Sequence, residues 1–573
     1  MKGILRFLSP YRKKMGVGFS IKVSGTVFEL FLPFILTHIL KNVVGSADIK
    51  KILLWGALMI LCAFAACLCN IIANRKAAKI SRDFSEEIRR ELFKKTVNLS
   101  AEDTDSFTIP SLEARITTDT YNVHNFVNTM QRMGVRAPIL LIGGTVFTLV
   151  MDSTLSLVMI ALLPFIFLTV YSISKNGVPL YTKVQKSADY MTRVVREDSQ
   201  GIRVIKALSK NEYENLRFDG YNRALSKSER RAGIIMGSVN PIMTLLMNVG
   251  IIGVVSFAAY RVSRGLSDAE TVIAFIQYFT LISMAVMTLS RIFVMYTKSS
   301  ASAKRICEVL DTPENQPEKV TEFIPDESKP HIEFKNVSFS YNGKHNQLDD
   351  ISFSLKRGQR LGIIGSTGSG KSTIVKLLLN FYRQNEGSIR ISGYDIESIP
   401  SESFSKMFGV ALQNGFLFAD TIEENIKFGR NISHGDVVFA AEISQADSFI
   451  NDFPDGYEHI LSQKGTNLSG GQKQRILIAR AIAASPEILI LDDSSSALDY
   501  KTDAALRRAL SENMSDSTVI TVAQRVSSVK DSDLIIVLEN GRQIGMGTHE
   551  QLLECCPEYR EISLSQMGGA LIE

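Results

Sequence analysis

The run Gly365-Ser366-Thr367-Gly368-Ser369-Gly370-Lys371-Ser372 carries the residue types that hold a polyphosphate. Its glycines let backbone N–H groups turn toward phosphate oxygens. Lys371 supplies a point charge, and Ser372 a hydroxyl for a divalent cation. The apolar stretch Leu361–Ile364 reads as a strand entering the loop, and Thr373 to Phe381 as a helix leaving it. That strand–loop–helix context is what the motif requires, and the helix N-terminus adds a favourable dipole. Farther on, the short apolar run Ile488–Leu491 reads as a buried parallel strand ending in Asp492 and Asp493. Asp492 is placed to reach Mg2+, usually through water. Between the two lies Leu468-Ser469-Gly470-Gly471-Gln472, where small residues open a helix running toward Ala484. Such a helix start lets a phosphate approach closely.

The rest of the chain must position these groups. It has 573 residues, so several domains are expected, and 45% of them are hydrophobic. The apolar excess is concentrated in residues 1–300, whereas residues 330–573 read as a soluble α/β domain. Stretches near the spanning length of ~20 residues recur six times, at about 16–40, 52–73, 133–151, 154–174, 236–262 and 270–296. The loops between them are unequal: 74–132 and 175–235 are long, polar and rich in Lys and Arg. Positive charge stays cytoplasmic, so the N-terminus, both long loops and the soluble half are placed inside, in a plasma-membrane protein. Lys41, Lys50 and Lys51 fall on the outer side of this scheme and run against it. Residues 2–11 read as a short amphipathic helix on the inner surface, with Phe7 and Leu8 dipping into lipid. Lys22 and Glu29 interrupt the first span and share a helical face, and Arg136, Asn240, Asn248, Gln277 and Arg291 are further polar groups in or at the ends of spans. Each is either a helix-packing group or part of a substrate pathway.

Net charge is only +5, and no basic tract is interleaved with aromatics, so no nucleic-acid partner is expected. The six cysteines, Cys62, Cys67, Cys69, Cys307, Cys555 and Cys556, fit neither a disulfide framework nor a zinc site. Residues 311–330 hold four prolines among polar residues and read as a linker. The domains are then 1–310, in the membrane, and 331–573.

Leu468–Gln472 resembles the signature sequence of ATP-binding-cassette (ABC) proteins, and six spans, a linker and one cassette are the layout of an ABC exporter half-transporter. The implied fold class is an all-α six-helix transmembrane domain of ABC exporter type plus a C-terminal α/β P-loop ATP-binding cassette. The resemblance implies ATP and Mg2+, with ATP held by Tyr341, which stacks on adenine, by Gly365 to Thr373, and by Gln413. Mg2+ would be held by Ser372, Gln413 and Asp492. Ser496-Ala497-Leu498-Asp499 matches the family's D-loop, and the signature serves the partner subunit's ATP rather than its own. Short helices docking on the cassettes are implied near 101–108 and 208–215.

Three positions depart from the family pattern. Asp493 stands where the family has the glutamate that polarises the attacking water, and Gln524 where it has a histidine at the γ-phosphate. Gln463 stands where many exporters have a coupling glutamate. An aspartate withdraws the carboxylate by ~1.5 Å, and a glutamine amide donates but does not titrate like imidazole. With binding residues intact and two hydrolytic residues changed, the expectation is a site that holds ATP and turns it over slowly. The chain is then one subunit of a heterodimeric exporter, possessing membrane lipid, a small amphipathic substrate and a second, different half-transporter with intact Glu and His as its partners. The alternatives are a homodimer hydrolysing at both sites and a nucleotide-gated channel or regulatory subunit without net pumping. Drug, lipid and peptide cargoes are all open at this point.

Overall fold

The structure, a computed structural model, describes residues 2–44, 48–265, 268–313 and 323–567. Residues 314–322 of the expected linker lie outside the described residues, as does the side chain of Asn240. The chain divides into two compact units, Met1–Leu99 with Phe107–Pro313, and Ser100–Ser106 with Glu314–Glu573.

The first unit is helical. Its main helices are α1 (Arg12–His38), α2 (Ile49–Val97), α4 (Thr120–Met151), α5 (Ser153–Ala207), α6 (Asn211–Gly237), α7 (Val239–Ser263) and α8 (Ala269–Leu310); the short α3 (Ala101–Phe107), before α4 in the chain, falls with the second unit up to Ser106. Among the described residues five helices are long and apolar enough to cross a membrane, and Ser153–Thr169 is a shorter apolar helix in the position of the fourth expected span. The count is therefore five to six. Helix α2 has 49 residues. At 1.5 Å per residue it is about 74 Å long, more than twice a hydrocarbon core of ~30 Å, so it continues well beyond the membrane. Its apolar half leaves Leu53, Leu54, Ile60, Leu61 and Phe64 exposed, as lipid-facing side chains must be. Its polar half instead buries Phe84, Ile88 and Leu92 against Val123, Ile306 and Val309.

The basic residues on the outer side are offset locally: Lys41 pairs with Asp268, and Asp48, which caps α2, lies 3.8 Å from Lys51. The inside rule counts Lys and Arg whatever carboxylates stand beside them, so these lysines still run against it. Phe7 and Leu8 are partly covered by protein. They pack with Ile4 on the cluster around Phe84 and Ile88, and Tyr11 donates to Glu87 at 3.3 Å. The segment is thus an intramolecular brace, because α2 offers it apolar surface.

The second unit is an α/β domain around a 10-stranded sheet of order β5-β4-β1-β2-β10-β9-β3-β8-β7-β6. The strands are β1 (Ile332–Phe339), β2 (Leu348–Leu355), β3 (Arg360–Gly365), β4 (Glu386–Ile391), β5 (Tyr394–Asp395), β6 (Phe408–Ala411), β7 (Ile488–Asp492), β8 (Thr518–Ala523), β9 (Leu534–Glu539) and β10 (Arg542–Gly547). Strands β1, β2, β4 and β5 are antiparallel, while β9, β3, β8, β7 and β6 are parallel. The parallel strands are near-continuous apolar runs because both of their faces are covered. Ile488, Leu489 and Ile490 of β7 are fully buried.

Candidate functional site

The parallel strands end in register, and that alignment assembles the site. Ile364 of β3 pairs with Ala523 of β8, Asp492 of β7 with Val522, and Ala411 of β6 with Leu491. One step past these ends stand Gly365, Gln524, Asp493 and, from the loop after β6, Gln413. Ligands of open parallel sheets bind at this carboxyl edge.

The phosphate loop joins β3 to helix α9 (Lys371–Leu378). Two glycines are demanded by geometry. A Cβ at Gly365 would lie 2.2 Å from the Leu538 carbonyl, and Gly370 has φ +99° with Gln347 O 2.8 Å from its would-be Cβ. Thr367 and Gly368 are exposed at the tip, and the buried Ser369 hydroxyl has no partner among the described residues. Lys371 is buried; its ammonium donates to the carbonyls of Gly365 (2.8 Å) and Ser366 (2.7 Å) of its own loop. Burial pushes its pKa down, opposed by Asp493 and Asp492. Asp492 is shifted the opposite way. Burial raises its pKa, the charge of Asp493 adds to this, and Ser372 and Lys371 oppose it. A phosphate beside Lys371 and a cation beside Asp492 would each offset that burial.

Ser372 donates to Asp492 Oδ1 at 3.0 Å, so hydroxyl and carboxylate already converge. One hydroxyl and one carboxylate suit Mg2+, which keeps waters and takes its remaining ligands from phosphates. Gln413 belongs to the same cluster, but its amide points elsewhere. Its Nε2 donates to Asp493 Oδ2 at 3.2 Å, and Gln524 Nε2 donates to the same oxygen at 3.1 Å. Asp493 sits in the left-handed region, φ +49°, and its N–H bonds Val522 O at 2.9 Å. Two amides thus hold one short carboxylate at the strand end. Tyr341 is exposed and reaches Thr373, hydroxyl to hydroxyl at 3.5 Å, with the Lys376 ammonium 5.3 Å from its ring centre. An accessible ring beside the loop can stack on a base.

The signature opens helix α10 (Gly470–Ile482) with Ser469 as its cap. Ser469 accepts from the Gln472 N–H at 3.2 Å and its own N–H donates to Gln472 Oε1 at 2.9 Å, a reciprocal capping box. Gln472 therefore shapes the helix start, and Gly470 and Gly471 present bare N–H groups. Leu468 packs into the adjacent core. The D-loop lies against this helix: a Cβ at Gly471 would be 3.2 Å from Ala497 O. Ser496 donates to Asp493 O at 2.9 Å, Leu498 is buried, and Asp499 caps helix α11 (Tyr500–Asn513). Among the described residues no hydrogen bond joins Leu468–Gln472 to the phosphate loop of the same chain.

Sequence reading missed the group that ties α10 to the segment after Gln413. Arg480 donates to Phe416 O (2.8 Å), Asn425 O (2.7 Å) and Asn425 Oδ1 (2.9 Å), and Arg430 donates to Arg480 O at 2.6 Å. Burial and the neighbouring Arg430 pull the Arg480 guanidinium down to about 10. Neither arginine has a carboxylate partner among the described residues; carbonyl dipoles hold them, and the Arg480 guanidinium also lies 5.1 Å from the centre of the Phe428 ring. Arg480→Leu leaves these carbonyls bare and is expected to cost about 3 kcal/mol, read as a lower Tm of the purified protein. The helix at 101–108 appears as α3, which is grouped with the cassette, and Tyr382 donates from its hydroxyl to Asp105. At 208–215 the chain turns from α5 into α6.

Comparison with known proteins bears on this geometry. Residues 15–286 match the ABC transporter transmembrane region and residues 348–496 match the ABC transporter family model. The chain is 33% identical over 570 residues to the Bacillus subtilis ABC transporter ATP-binding protein YfiB, covering 99% of each. It is 31% identical over 572 residues to an ABC transporter ATP-binding protein of Mycobacterium tuberculosis, covering 99% of this chain and 98% of that one. Its fold is that of a bacterial Atm1-family ABC exporter solved with ATP bound, at a TM-score of 0.83 and 24% identity over 98% of this chain and 99% of the other. The chain therefore belongs to the ABC transporter family, as a multi-pass membrane protein of exporter fold with a cytoplasmic ATP-hydrolysing cassette.

Proposed function

We propose that the chain is one subunit of a heterodimeric exporter that moves an amphipathic substrate out of the cytoplasm. Its own site binds ATP and hydrolyses it slowly, while its signature completes a competent site on a different half-transporter. The observation that carries this reading is the state of Asp493. The groups that bind are in place, whereas the carboxylate at the catalytic position is short and engaged by Gln413 and Gln524. Meanwhile the signature helix keeps its cap and its open glycines.

When bound, Mg2+ neutralises charge on the β- and γ-phosphate oxygens. Lys371 would exchange its loop carbonyls for phosphate oxygens, and Ser372 and Asp492 would hold the cation. Gly470 and Gly471 would aim backbone N–H groups at the γ-phosphate of the partner's ATP. Closure of the two cassettes on ATP would then turn the spans outward.

Two measurements test this. The purified chain alone should bind a fluorescent ATP analogue and release little phosphate; robust ATPase from the chain alone would instead support a homodimer active at both sites. Lys371→Met should weaken that nucleotide binding by roughly 10- to 100-fold, the scale of a hydrogen bond to a charged group. Uptake against a gradient by vesicles holding both subunits separates a pump from a nucleotide-gated channel, which would only equilibrate the solute.

A further inference from the structure

Three helices of the transmembrane unit gather cations that the nearby carboxylates do not balance. Lys22, on α1, is only 4% exposed. Its ammonium donates to Asn70 Oδ1 at 2.6 Å and Asn74 Oδ1 at 3.2 Å, both on α2. Arg132, on α4, donates to the same Asn74 oxygen at 3.3 Å. One turn along α4, Arg136 pairs with Glu29 of α1. Among the described residues neither Lys22 nor Arg132 has an ion-pair partner. A helical strut needs no charge; a neutral amide would make the same bonds without the several-kcal/mol cost of burying an unpaired ion. Buried cations within membrane helices mark a function by default. An ammonium also has three donors, and the two amide oxygens use two of them.

The same three helices enclose a cavity of about 340 Å³. Its walls are apolar and adaptable, with Met15, Phe19 and Met130 among them. The cationic group is not in the lining itself but lies within three residues of a lining residue on each helix. Phe19 is three residues before Lys22, Ala73 precedes Asn74, and Met130 is two residues before Arg132. Apolar walls beside a cationic group match a molecule with a tail and a negative head, which would reach Lys22 by displacing one of its amide partners. The volume falls within the range of small-molecule sites.

We propose that this pocket binds an amphipathic anion, its phosphate or carboxylate head on Lys22 and Arg132 and its tail along Met15, Phe19 and Met130. The head is that of an acidic amphipathic solute: Met15 lies nearer the cytoplasmic end of α1 than Lys22 does, so an inner-leaflet lipid would have to sit inverted. The inference rests on the export reading only in naming the bound molecule as cargo; binding itself is measured without nucleotide.

The test uses the full chain in phosphatidylcholine nanodiscs, titrated with dansylaminoundecanoic acid and with its neutral amide. The acid is expected to bind at least tenfold more tightly than the amide. Lys22→Met and Arg132→Gln should each remove most of that preference and leave amide binding unchanged. If acid and amide bind alike, or if the acid preference survives in both variants, the cations are interhelical struts and the proposal fails. Should Lys22→Met not elute as a single species, Lys22→Arg keeps the charge and must keep the preference, while Arg132→Gln still removes it. Octyl phosphate is expected to displace the acid; displacement by phosphatidylglycerol in the disc instead would overturn the assignment to a solute. Failure here leaves the ATPase and uptake measurements above untouched, and their failure leaves this binding result standing.

Discussion

Asp493→Glu should raise ATP turnover at this chain's own site, by up to ~100-fold. Inserting one methylene moves the carboxylate forward by ~1.5 Å. That is the distance by which Asp493 falls short of the position a glutamate reaches. In the structure both amides grip Asp493 Oδ2, at 3.2 and 3.1 Å. A longer side chain passes beyond them toward the place where water would attack the γ-phosphoryl group. A hundredfold gain corresponds to about 2.7 kcal/mol in the barrier. Phosphate release is to be followed in the assembled complex with the partner's own phosphate-loop lysine removed, so that only this chain's site contributes. A rate unchanged from the parent would mean that the short carboxylate is not what limits this site. Adding Gln524→His should raise the rate further, since an imidazole then stands beside the γ-phosphate position in place of an amide that does not titrate.

The opposite outcome is expected of Gly471→Glu, a loss of more than ~100-fold in turnover by the complex. Even a methyl group at this position meets Ala497 O at 3.2 Å, so a longer side chain must point outward from the helix start. There it sets a negative charge at a helix N-terminus that favours phosphate. The capping bonds between Ser469 and Gln472 do not involve residue 471, so the helix itself should survive. Nucleotide binding at Lys371 should be unchanged, which separates this effect from misfolding. Turnover that persisted would place the competent site somewhere other than on this signature.

Contiguous motifs were readable from sequence because each carries its chemistry within a few residues. The phosphate loop and Asp492 fall together in the structure because β3, β8 and β7 are adjacent parallel strands, which their unbroken apolar runs announce. What sequence could not show was which side chains converge from afar. Gln413 and Gln524 lie 80 and 31 residues from Asp493, and nothing in their local pattern points at a shared oxygen. Arg430 and Arg480 are 50 residues apart and resemble ordinary surface charges until their carbonyl partners are known. Lys22 and Glu29 share a face of α1, yet periodicity says nothing of the helices opposite. Each in fact meets a different one, α2 for Lys22 and α4 for Glu29. The protein contacts of Phe7 and Leu8 are hidden from sequence for a similar reason. An amphipathic segment advertises an apolar face without saying whether lipid or protein covers it.

The grouping of Ser100–Ser106 with the cassette bears on how such chains recombine. A chimera cut within residues 314–330 would carry the sheet and its motifs but leave behind Asp105, the acceptor of the Tyr382 hydroxyl. The inherited module is discontinuous, a long block with a seven-residue island far upstream. Crossovers that exchange both pieces should yield more functional hybrids than single-cut crossovers, and substitutions at 105 and 382 should be traded as a pair.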